Sequence, residues 1–333
     1  MFIIQSYPLA ILFCFITMLC WGSWANTQKL SAGKWPFELF YWDYVLGILA
    51  FSLLAAFTMG SIGTEGRPFL QDIQQVSTAN FLSALTGGAL FNLANMLLTA
   101  AIAIAGMSVA FPVGIGLALI IGVVVNYSGT ESGDPLLLFS GVALVAFAIV
   151  LNAVAYGKKS TNSQKPATKG IILSVIAGLL MSFFYKFIAA SMDLENFQQP
   201  AAEKMTPYSA SVVFALGIVL SNLFFNSYLM KKPLSGTPLS YRDYFSGRFS
   251  IHLIGLAGGA IWALGNLFNL VAAGKAGAAI SYGLGQGATL VAAIWGVYIW
   301  KEFSGSPPFV KKLISAMFLC FIAGLALVIA AGR

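Results

Sequence analysis

Apolar runs long enough to cross a bilayer recur along the whole chain, separated by short polar stretches. A spanning helix needs about 20 apolar residues, and ten segments of about that length can be read. They cover about 7–28, 37–59, 79–105, 107–127, 135–156, 170–192, 206–230, 250–274, 277–300 and 310–331. The pattern predicts an all-α integral membrane protein with ten transmembrane helices, numbered helix 1 to helix 10 in chain order.

The chain carries an internal duplication. The segment 85–127 aligns with the segment 256–298 without a gap, and 13 of the 43 paired positions are identical. LTGGALFNLANML pairs with LAGGAIWALGNLF, for example, which brings Asn95 onto Asn266. A repeat in an apolar chain is typical of secondary transporters, whose substrate site lies between the halves.

The helix count predicts how the two copies are arranged. We expect a first five-helix half over residues 1–156, a cytoplasmic linker over 157–169 and a second five-helix half over 170–333. Because five is an odd number, the second copy must enter the membrane in the opposite orientation to the first. The sequence therefore predicts two inverted five-helix repeats, an arrangement that gives a physical basis for alternating access.

Composition and charge exclude most other classes. The chain is 59% hydrophobic and 9% charged, with a mean hydropathy of +0.85, which leaves too little polar surface for a soluble protein of 333 residues. The net charge of +7 does not require a nucleic-acid partner, because most Lys and Arg lie in loops beside apolar helices.

Loops after the odd-numbered helices carry thirteen of the Lys and Arg residues, and the opposite face carries four. The positive-inside rule then predicts that both termini lie on the non-cytoplasmic side of a plasma (bacterial inner) membrane.

Several motifs resemble those of a known superfamily. They are WGSWANTQKL closing helix 1, SFFYKFIAASM in helix 6, SNLFFNSYLMKKP closing helix 7, and GGAIWALGN followed by GKAGAAISYGLGQGATLVAAIWGVYIWKEF through helices 8 and 9. They resemble the drug/metabolite transporter superfamily, and within it the bacterial glucose/ribose porter and ureide permease-like branch. The resemblance implies two inverted five-helix halves around a cavity lined by helices 1, 3, 4, 6, 8 and 9. Its members move sugars, ureides, nucleobases or drugs, so a small-molecule solute is the expected partner of a monomer or homodimer in the lipid bilayer.

Polar side chains inside the helices are the candidates for solute contact, because such groups in hydrocarbon are costly. Asn92 and Asn95 share one face of helix 3, and Asn266 and Asn269 share one face of helix 8, since residues three apart are neighbours on a helix. Amides offer donors and acceptors, which suits a neutral solute with hydroxyl, carbonyl or N–H groups. The alternative is that these side chains join close-packed helices.

Helix 9 contains the sequence GLGQG, whose glycine spacing permits a kinked or locally unwound helix. Its glutamine, Gln286, is then expected to contact the solute near the midplane, while the alternative is a small-residue packing seam. Rings that could stack on a solute are Trp21, Trp24, Tyr185, Trp262 and Tyr282. Of these we favour Trp24 and Tyr185, because helices 1 and 6 are counterparts; the alternative for each ring is the core or an interfacial belt.

Two ionisable side chains lie deep in the helices, where a charge costs on the order of 2.5 to 3.5 kcal/mol. Asp43 in helix 2 is a candidate proton carrier, or it pairs with Lys34 or Lys29 at the interface. Lys186 in helix 6 is a candidate for binding a solute carbonyl or carboxylate or for replacing a coupling ion, with snorkelling as the alternative. If Asp43 and Lys186 pair, the ion pair is a candidate gate.

The other ionisable groups are expected at the membrane surface. Glu38, Glu131 and Glu302 lie at helix ends, and the repeat pairs Glu131 with Glu302. His252, the only histidine, begins helix 8 and is expected to be structural or interfacial.

These observations favour a transporter over an enzyme. The preferred hypothesis is an importer, proton-coupled or facilitative, of a small polar neutral solute such as a sugar or ureide. It needs no cofactor, and a proton gradient is the expected energy source. The alternative is a drug or metabolite exporter. A membrane enzyme or receptor would require a catalytic constellation or an added soluble domain, and the sequence indicates neither.

Overall fold

The computed structural model describes residues 1–31, 33–105, 107–130, 133–159, 168–233 and 236–332. Within these ranges ten helices are long and apolar enough to cross a membrane, so the predicted all-α class and helix number are confirmed. Their bounds are Tyr7–Ser23 with Ala25–Ser31 (helix 1), Phe37–Phe57, Thr78–Ala105, Met107–Thr130, Pro135–Lys159, Thr168–Ala190, Pro207–Lys231, Phe249–Ala276, Ala278–Gln286 with Ala288–Ile294 and Trp295–Ile299 (helix 9), and Pro308–Ala330. Glu131 and residues 160–167 of the linker lie outside the described residues.

Two of the helices are interrupted, and both interruptions lie beside the central cavity. Helix 1 is broken at Trp24, and helix 9 is broken at Gly287, where the GLGQG spacing predicts a break. Glycine is a poor helix former because its backbone loses more freedom than that of other residues. Helix 9 ends in a π-helical turn, Trp295–Ile299, a feature that is frequent at functional sites.

The two halves use the same close contacts between helices. A Cβ built on Gly47 of helix 2 would lie 2.2 Å from the carbonyl oxygen of Leu256 in helix 8. A Cβ on Gly217 of helix 7 would lie 2.1 Å from the carbonyl oxygen of Leu85 in helix 3. Gly217 is the counterpart of Gly47 and Leu256 that of Leu85, so the duplication is retained in the packing. The opposite membrane orientation of the halves stays a prediction.

Two short helices lie between the spans and fasten neighbouring elements. In Phe69–Gln75, the buried carboxylate of Asp72 accepts hydrogen bonds from Arg67 Nε at 2.8 Å and from the backbone N–H of Thr206 at 2.8 Å. Tyr241–Phe245 begins with a capping box between Ser240 and Asp243. Hydrogen bonds from the Ser240 hydroxyl and backbone hold the pKa of Asp243 below its ordinary value, so this cap is charged at neutral pH.

Candidate functional site: a central aromatic cavity

A cavity of about 160 Å³ lies between the two halves, next to the breaks in helices 1 and 9. Its wall is formed by Trp21, Trp24, Phe91, Asn95, Leu98, Ile115, Met181, Phe184, Trp262, Gly285, Gln286, Ala288, Thr289 and Ala292. Two pairs of these residues occupy matching positions in the repeat: Phe91 and Trp262, and Ile115 and Gln286. The cavity therefore lies where a substrate site between repeats is expected.

Flat aromatic rings form much of the wall. The rings of Trp21 and Trp262 stack with centroids 5.7 Å apart and planes 12° apart, and Phe91 lies 4.4 Å from Trp262. The Trp21 indole N–H donates to the Trp262 carbonyl oxygen at 3.2 Å, which fixes the ring. Rigid planes of this kind suit a small flat solute.

Three polar side chains reach the cavity, and none of the described lining residues is charged. Asn95 and Gln286 carry amides, and Thr289 donates its hydroxyl to the backbone oxygen of Gln286 at 3.0 Å. The Gln286 amide makes no hydrogen bond to another described residue, so it offers a donor and an acceptor. The cavity is therefore matched to a neutral solute that forms hydrogen bonds.

One side of the cavity continues into a larger vestibule of about 430 Å³, which shares Thr289 and Ala292 with it. At the vestibule's mouth, Lys29 Nζ lies 2.9 Å from Glu302 Oε1 and 4.1 Å from the ring centroid of Trp300. By the charge distribution this is the predicted cytoplasmic side.

The opposite side is closed by two buried tyrosines, Tyr185 and Tyr282, neither of which is exposed to solvent. The Tyr282 hydroxyl donates to the carbonyl oxygen of Ala118 at 3.0 Å, and the Tyr185 hydroxyl donates to that of Asn269 at 3.5 Å. We call these two tyrosines the outer seal. The structure thus places two buried, hydrogen-bonded tyrosines on the side of the cavity away from the vestibule.

Three of the predicted solute-binding residues, Asn95, Gln286 and Trp24, lie in the cavity wall. Tyr185, the ring favoured in helix 6, does not line the cavity. Its neighbour Phe184 does, because adjacent residues of a helix point about 100° apart. Tyr282 likewise lies in the outer seal rather than in the wall.

The remaining predicted asparagines do not line the cavity. Asn92 is fully buried and hydrogen-bonds Tyr41 and Ser221 at 3.0 Å each. Asn269 Nδ2 donates to the Ser281 backbone oxygen at 2.8 Å, and Asn266 is buried with its Oδ1 unpaired among the described residues. For Asn92 and Asn269 the structure favours the alternative of joining helices.

Asp43 lies outside the cavity, in a cluster at the predicted cytoplasmic end of helix 2. Its carboxylate accepts hydrogen bonds from Trp35 Nε1 at 3.0 Å and from the Tyr244 hydroxyl at 2.6 Å, and its Oδ1 lies 2.7 Å from His252 Nδ1. Burial and the bond to Asp43 raise the pKa of the Tyr244 hydroxyl, so this group remains a neutral donor. The alternative that Asp43 pairs with Lys34 or Lys29 is therefore wrong.

Lys186 also departs from its predicted role. Its side chain is exposed on the face of helix 6 that carries Phe183 and Phe187, which are themselves exposed, and away from the cavity. A lysine stem can lie along such an apolar surface while its ammonium reaches the interface. The carboxylate of Asp43 contacts Trp35, Tyr244 and His252, so the candidate ion pair between Asp43 and Lys186 is not formed. The exposed position of Lys186 agrees with snorkelling.

Some site residues escaped the sequence reasoning. Phe91, Phe184 and Thr289 line the cavity, His252 pairs with Asp43, and Glu38 is buried with only 5% of its surface exposed rather than lying at the surface. The repeat contained a signal for one of them: Phe91 is the counterpart of Trp262, itself a candidate from sequence.

Ten membrane helices around a central cavity of aromatic and amide side chains are typical of a multi-spanning carrier of small solutes. The ureide permease family model matches residues 40–169 and 158–331, and the chain belongs to the ureide permease family. Ureide permease 5 of Arabidopsis thaliana is 23% identical over 99% of this chain and 95% of its own length, and ureide permease 2 is 24% identical over 99% and 98%. These relatives are named as transporters rather than enzymes.

Two further similarities extend the comparison. A protein of Latilactobacillus sakei named for ribose uptake is 27% identical over 77% of this chain and 78% of its own length. A solved crystal structure superposes with a TM-score of 0.64, covering 98% of this chain and all of the other at 17% identity. At that identity the likeness shows the fold alone.

Proposed function

We propose that this chain imports a small neutral polar solute of the ureide type through the central cavity. The observation that carries the proposal is the cavity's chemistry: stacked indoles, two amides and one hydroxyl, with no charged group among its described lining residues. A ureide is compact, uncharged and rich in N–H and C=O groups, so each feature has a partner in the wall. The names of the relatives support ureides first and a sugar such as ribose second.

Alternating access is the proposed mode of transport. A cavity that opens through the vestibule and is closed by the outer seal corresponds to one of two states, the inward-open one. Matching residues of the two halves line the cavity, so the same framework can close on the vestibule side and open at the seal. The proposed location is the plasma membrane, which is the inner membrane in a bacterium. The positive-inside rule supports an orientation with both termini outside.

Coupling to protons is part of the proposal, with Asp43 as the coupling group. Its buried carboxylate lies 2.7 Å from His252 Nδ1, so gain or loss of a proton on Asp43 changes a contact between helices 2 and 8. Helix 8 also contributes Trp262 to the cavity wall, which connects the cluster with the site.

An exporter of drugs or metabolites is the second candidate, favoured by the aromatic share of the wall. Five lining residues, Trp21, Trp24, Phe91, Phe184 and Trp262, are aromatic and only two are amides. The size of the cavity argues the other way, because pockets for drug-sized ligands occupy roughly 300–1,000 Å³.

Uptake into proteoliposomes tests the proposal. Radiolabelled allantoin, ribose and uracil are presented with and without an inward proton gradient to wild type and to Asp43→Asn. We expect gradient-driven accumulation of allantoin that the variant loses while counterflow exchange survives. If no solute enters under any gradient, yet preloaded vesicles release these compounds or cationic dyes, the import proposal is wrong and export replaces it.

A further inference from the structure

A chain of hydrogen bonds leads from the wall of the cavity into the protein. Asn95 Nδ2 donates to the Tyr41 hydroxyl at 3.1 Å, and the Tyr41 hydroxyl donates to Asn92 Oδ1 at 3.0 Å. Asn92 Nδ2 donates to the Ser221 hydroxyl at 3.0 Å, and that hydroxyl donates to the carbonyl oxygen of Ile218 at 3.0 Å. The chain thereby joins helices 3, 2 and 7.

The last link fixes the direction of all the others. A backbone carbonyl can only accept, so the single proton of Ser221 is committed to Ile218 and its oxygen must accept from Asn92. The Asn92 amide therefore turns its nitrogen to Ser221 and its oxygen to Tyr41. Tyr41 then gives its one proton to Asn92 and must accept from a donor, which is the nitrogen of Asn95.

The consequence appears at the cavity. Because one N–H of the Asn95 amide is held by Tyr41, the orientation of the amide is fixed, and its carbonyl oxygen accepts no hydrogen bond from a described residue. If the Asn95 amide turned over, two acceptors would face each other at Tyr41. A freely rotating asparagine can exchange its oxygen and nitrogen, whereas here the carbonyl oxygen stays an acceptor in one fixed direction.

The described residues of the second half contain no equivalent of this chain of hydrogen bonds. Asn266 is the repeat counterpart of Asn95, and Ser211 of helix 7 is the counterpart of Tyr41, just as Gly217 is that of Gly47. The hydroxyl of Ser211 and the Oδ1 of Asn266 are both buried without a partner among the described residues. Helix packing that both halves share therefore does not require the Tyr41 chain, which occurs only on the side where the asparagine lines the cavity.

We propose that Tyr41 is a specificity-determining positioning residue: it orients the Asn95 amide so that the cavity accepts a hydrogen bond from an N–H group of the solute. The inference rests on the proposed function and deepens it. It makes a ureide, with N–H groups on its rim, a better ligand than an equally small compound that carries only acceptors.

Two nearly isosteric neutral compounds test this. Imidazolidin-2-one has two N–H groups beside its C=O, and 1,3-dioxolan-2-one has oxygen in place of both. Each is titrated against purified protein, with the fluorescence of the cavity tryptophans as the signal, and as a competitor of radiolabelled allantoin in counterflow. We expect wild type to bind the cyclic urea more tightly by about tenfold or more, since a fixed polar group rejects an analogue that cannot pair with it.

A set of variants distinguishes a role of Tyr41 in orienting the Asn95 amide from a role in folding. Tyr41→Phe keeps the ring and removes the hydroxyl, and we expect the preference to fall below about threefold, because the Asn95 amide can then turn over. Tyr44→Phe is the matched control: this tyrosine is equally buried, three residues further along helix 2, and its hydroxyl has no described partner. Ser221→Ala is expected to weaken the preference as Tyr41→Phe does, and Ser221→Thr, which restores a hydroxyl, is expected to keep it.

The possible failures are distinguishable. If wild type binds and exchanges neither compound nor allantoin, the proposed function is wrong and this inference falls with it. If wild type transports allantoin but does not prefer the cyclic urea, or if Tyr41→Phe keeps the wild-type preference, the inference alone is overturned.

Discussion

Asp43 of helix 2 and His252 of helix 8 lie in direct contact, with the carboxylate Oδ1 2.7 Å from the imidazole Nδ1, although the two residues are far apart in the sequence. The contact requires the proton on Nδ1 if His252 is neutral and becomes an ion pair if it is protonated. Trp35 and Tyr244 complete the shell around the carboxylate. A proton gained or lost by the carboxylate therefore changes a contact between helices 2 and 8.

The first prediction concerns pH. The initial rate of transport by wild type is expected to vary with pH over about pH 5 to 8. Asp43→Asn and His252→Gln are each expected to flatten this profile, because each removes one partner of the contact between helices 2 and 8. The measurement is the initial rate of counterflow across that range.

Asp243→Asn is the control for the pH profile. The pKa of Asp243 is held below its ordinary value, so its capping contribution is present above that value and is lost only as the pH falls below it. The cap is thus constant between pH 5 and 8, and this variant should keep the wild-type profile. A profile that survives in Asp43→Asn would contradict a role for the cluster.

The second prediction uses Cys14 as a reporter of the outer seal. This thiol is buried in helix 1, 3.9 Å from the Ser281 hydroxyl. Tyr282→Phe removes the hydrogen bond to Ala118, a loss of about 0.5–1.5 kcal/mol, so a membrane-impermeant maleimide should label Cys14 about 2- to 10-fold faster.

The labelling experiment is run with Cys20 and Cys320 replaced by serine. Tyr208→Phe serves as the comparison, because its hydroxyl donates to the Phe2 carbonyl oxygen outside the seal. Equal labelling rates in both variants would show that Tyr282 does not hold the cavity closed.

The third prediction concerns the close packing between halves. A Cβ on Gly259 would lie 1.9 Å from the carbonyl oxygen of Tyr44, so Gly259→Ala forces the backbones of helices 8 and 2 apart. We expect a loss of about 1–3 kcal/mol of stability, measured as a lower midpoint of thermal unfolding in detergent. Gly116→Ala, where the added Cβ meets nothing within 4 Å, should leave the midpoint near that of wild type. If both variants unfold alike, the close contact is not important for stability.

The sequence predicted the helices well and the site in part, for a physical reason. Bilayer thickness sets the length of an apolar run, so the spans could be read locally. The direction of each ring was harder to predict. Phe184 and its neighbour Tyr185 lie at nearly the same depth in helix 6, but only Phe184 lines the cavity. Two partners of Asp43, Tyr244 and His252, lie about 200 residues further along the chain, and no local sequence pattern predicts such a contact.

Lys186 shows a second limit of prediction from the sequence. Depth along a helix can be read from sequence, but the direction of a side chain around the helix requires the neighbours to be known. Helix 6 is apolar on its cavity face and on its exposed face, and its polar position alone did not distinguish them.

The most direct test of the central claim is counterflow of radiolabelled allantoin by wild type, Gln286→Leu and Lys186→Gln in proteoliposomes. We expect exchange by wild type. In Gln286→Leu, which loses an amide in the cavity, we expect KM to rise about tenfold or more. Lys186→Gln should exchange allantoin as wild type does, because the Lys186 side chain lies outside the cavity. Unchanged exchange in Gln286→Leu together with loss in Lys186→Gln would contradict the central claim, because the solute would then pass by a route other than the central cavity.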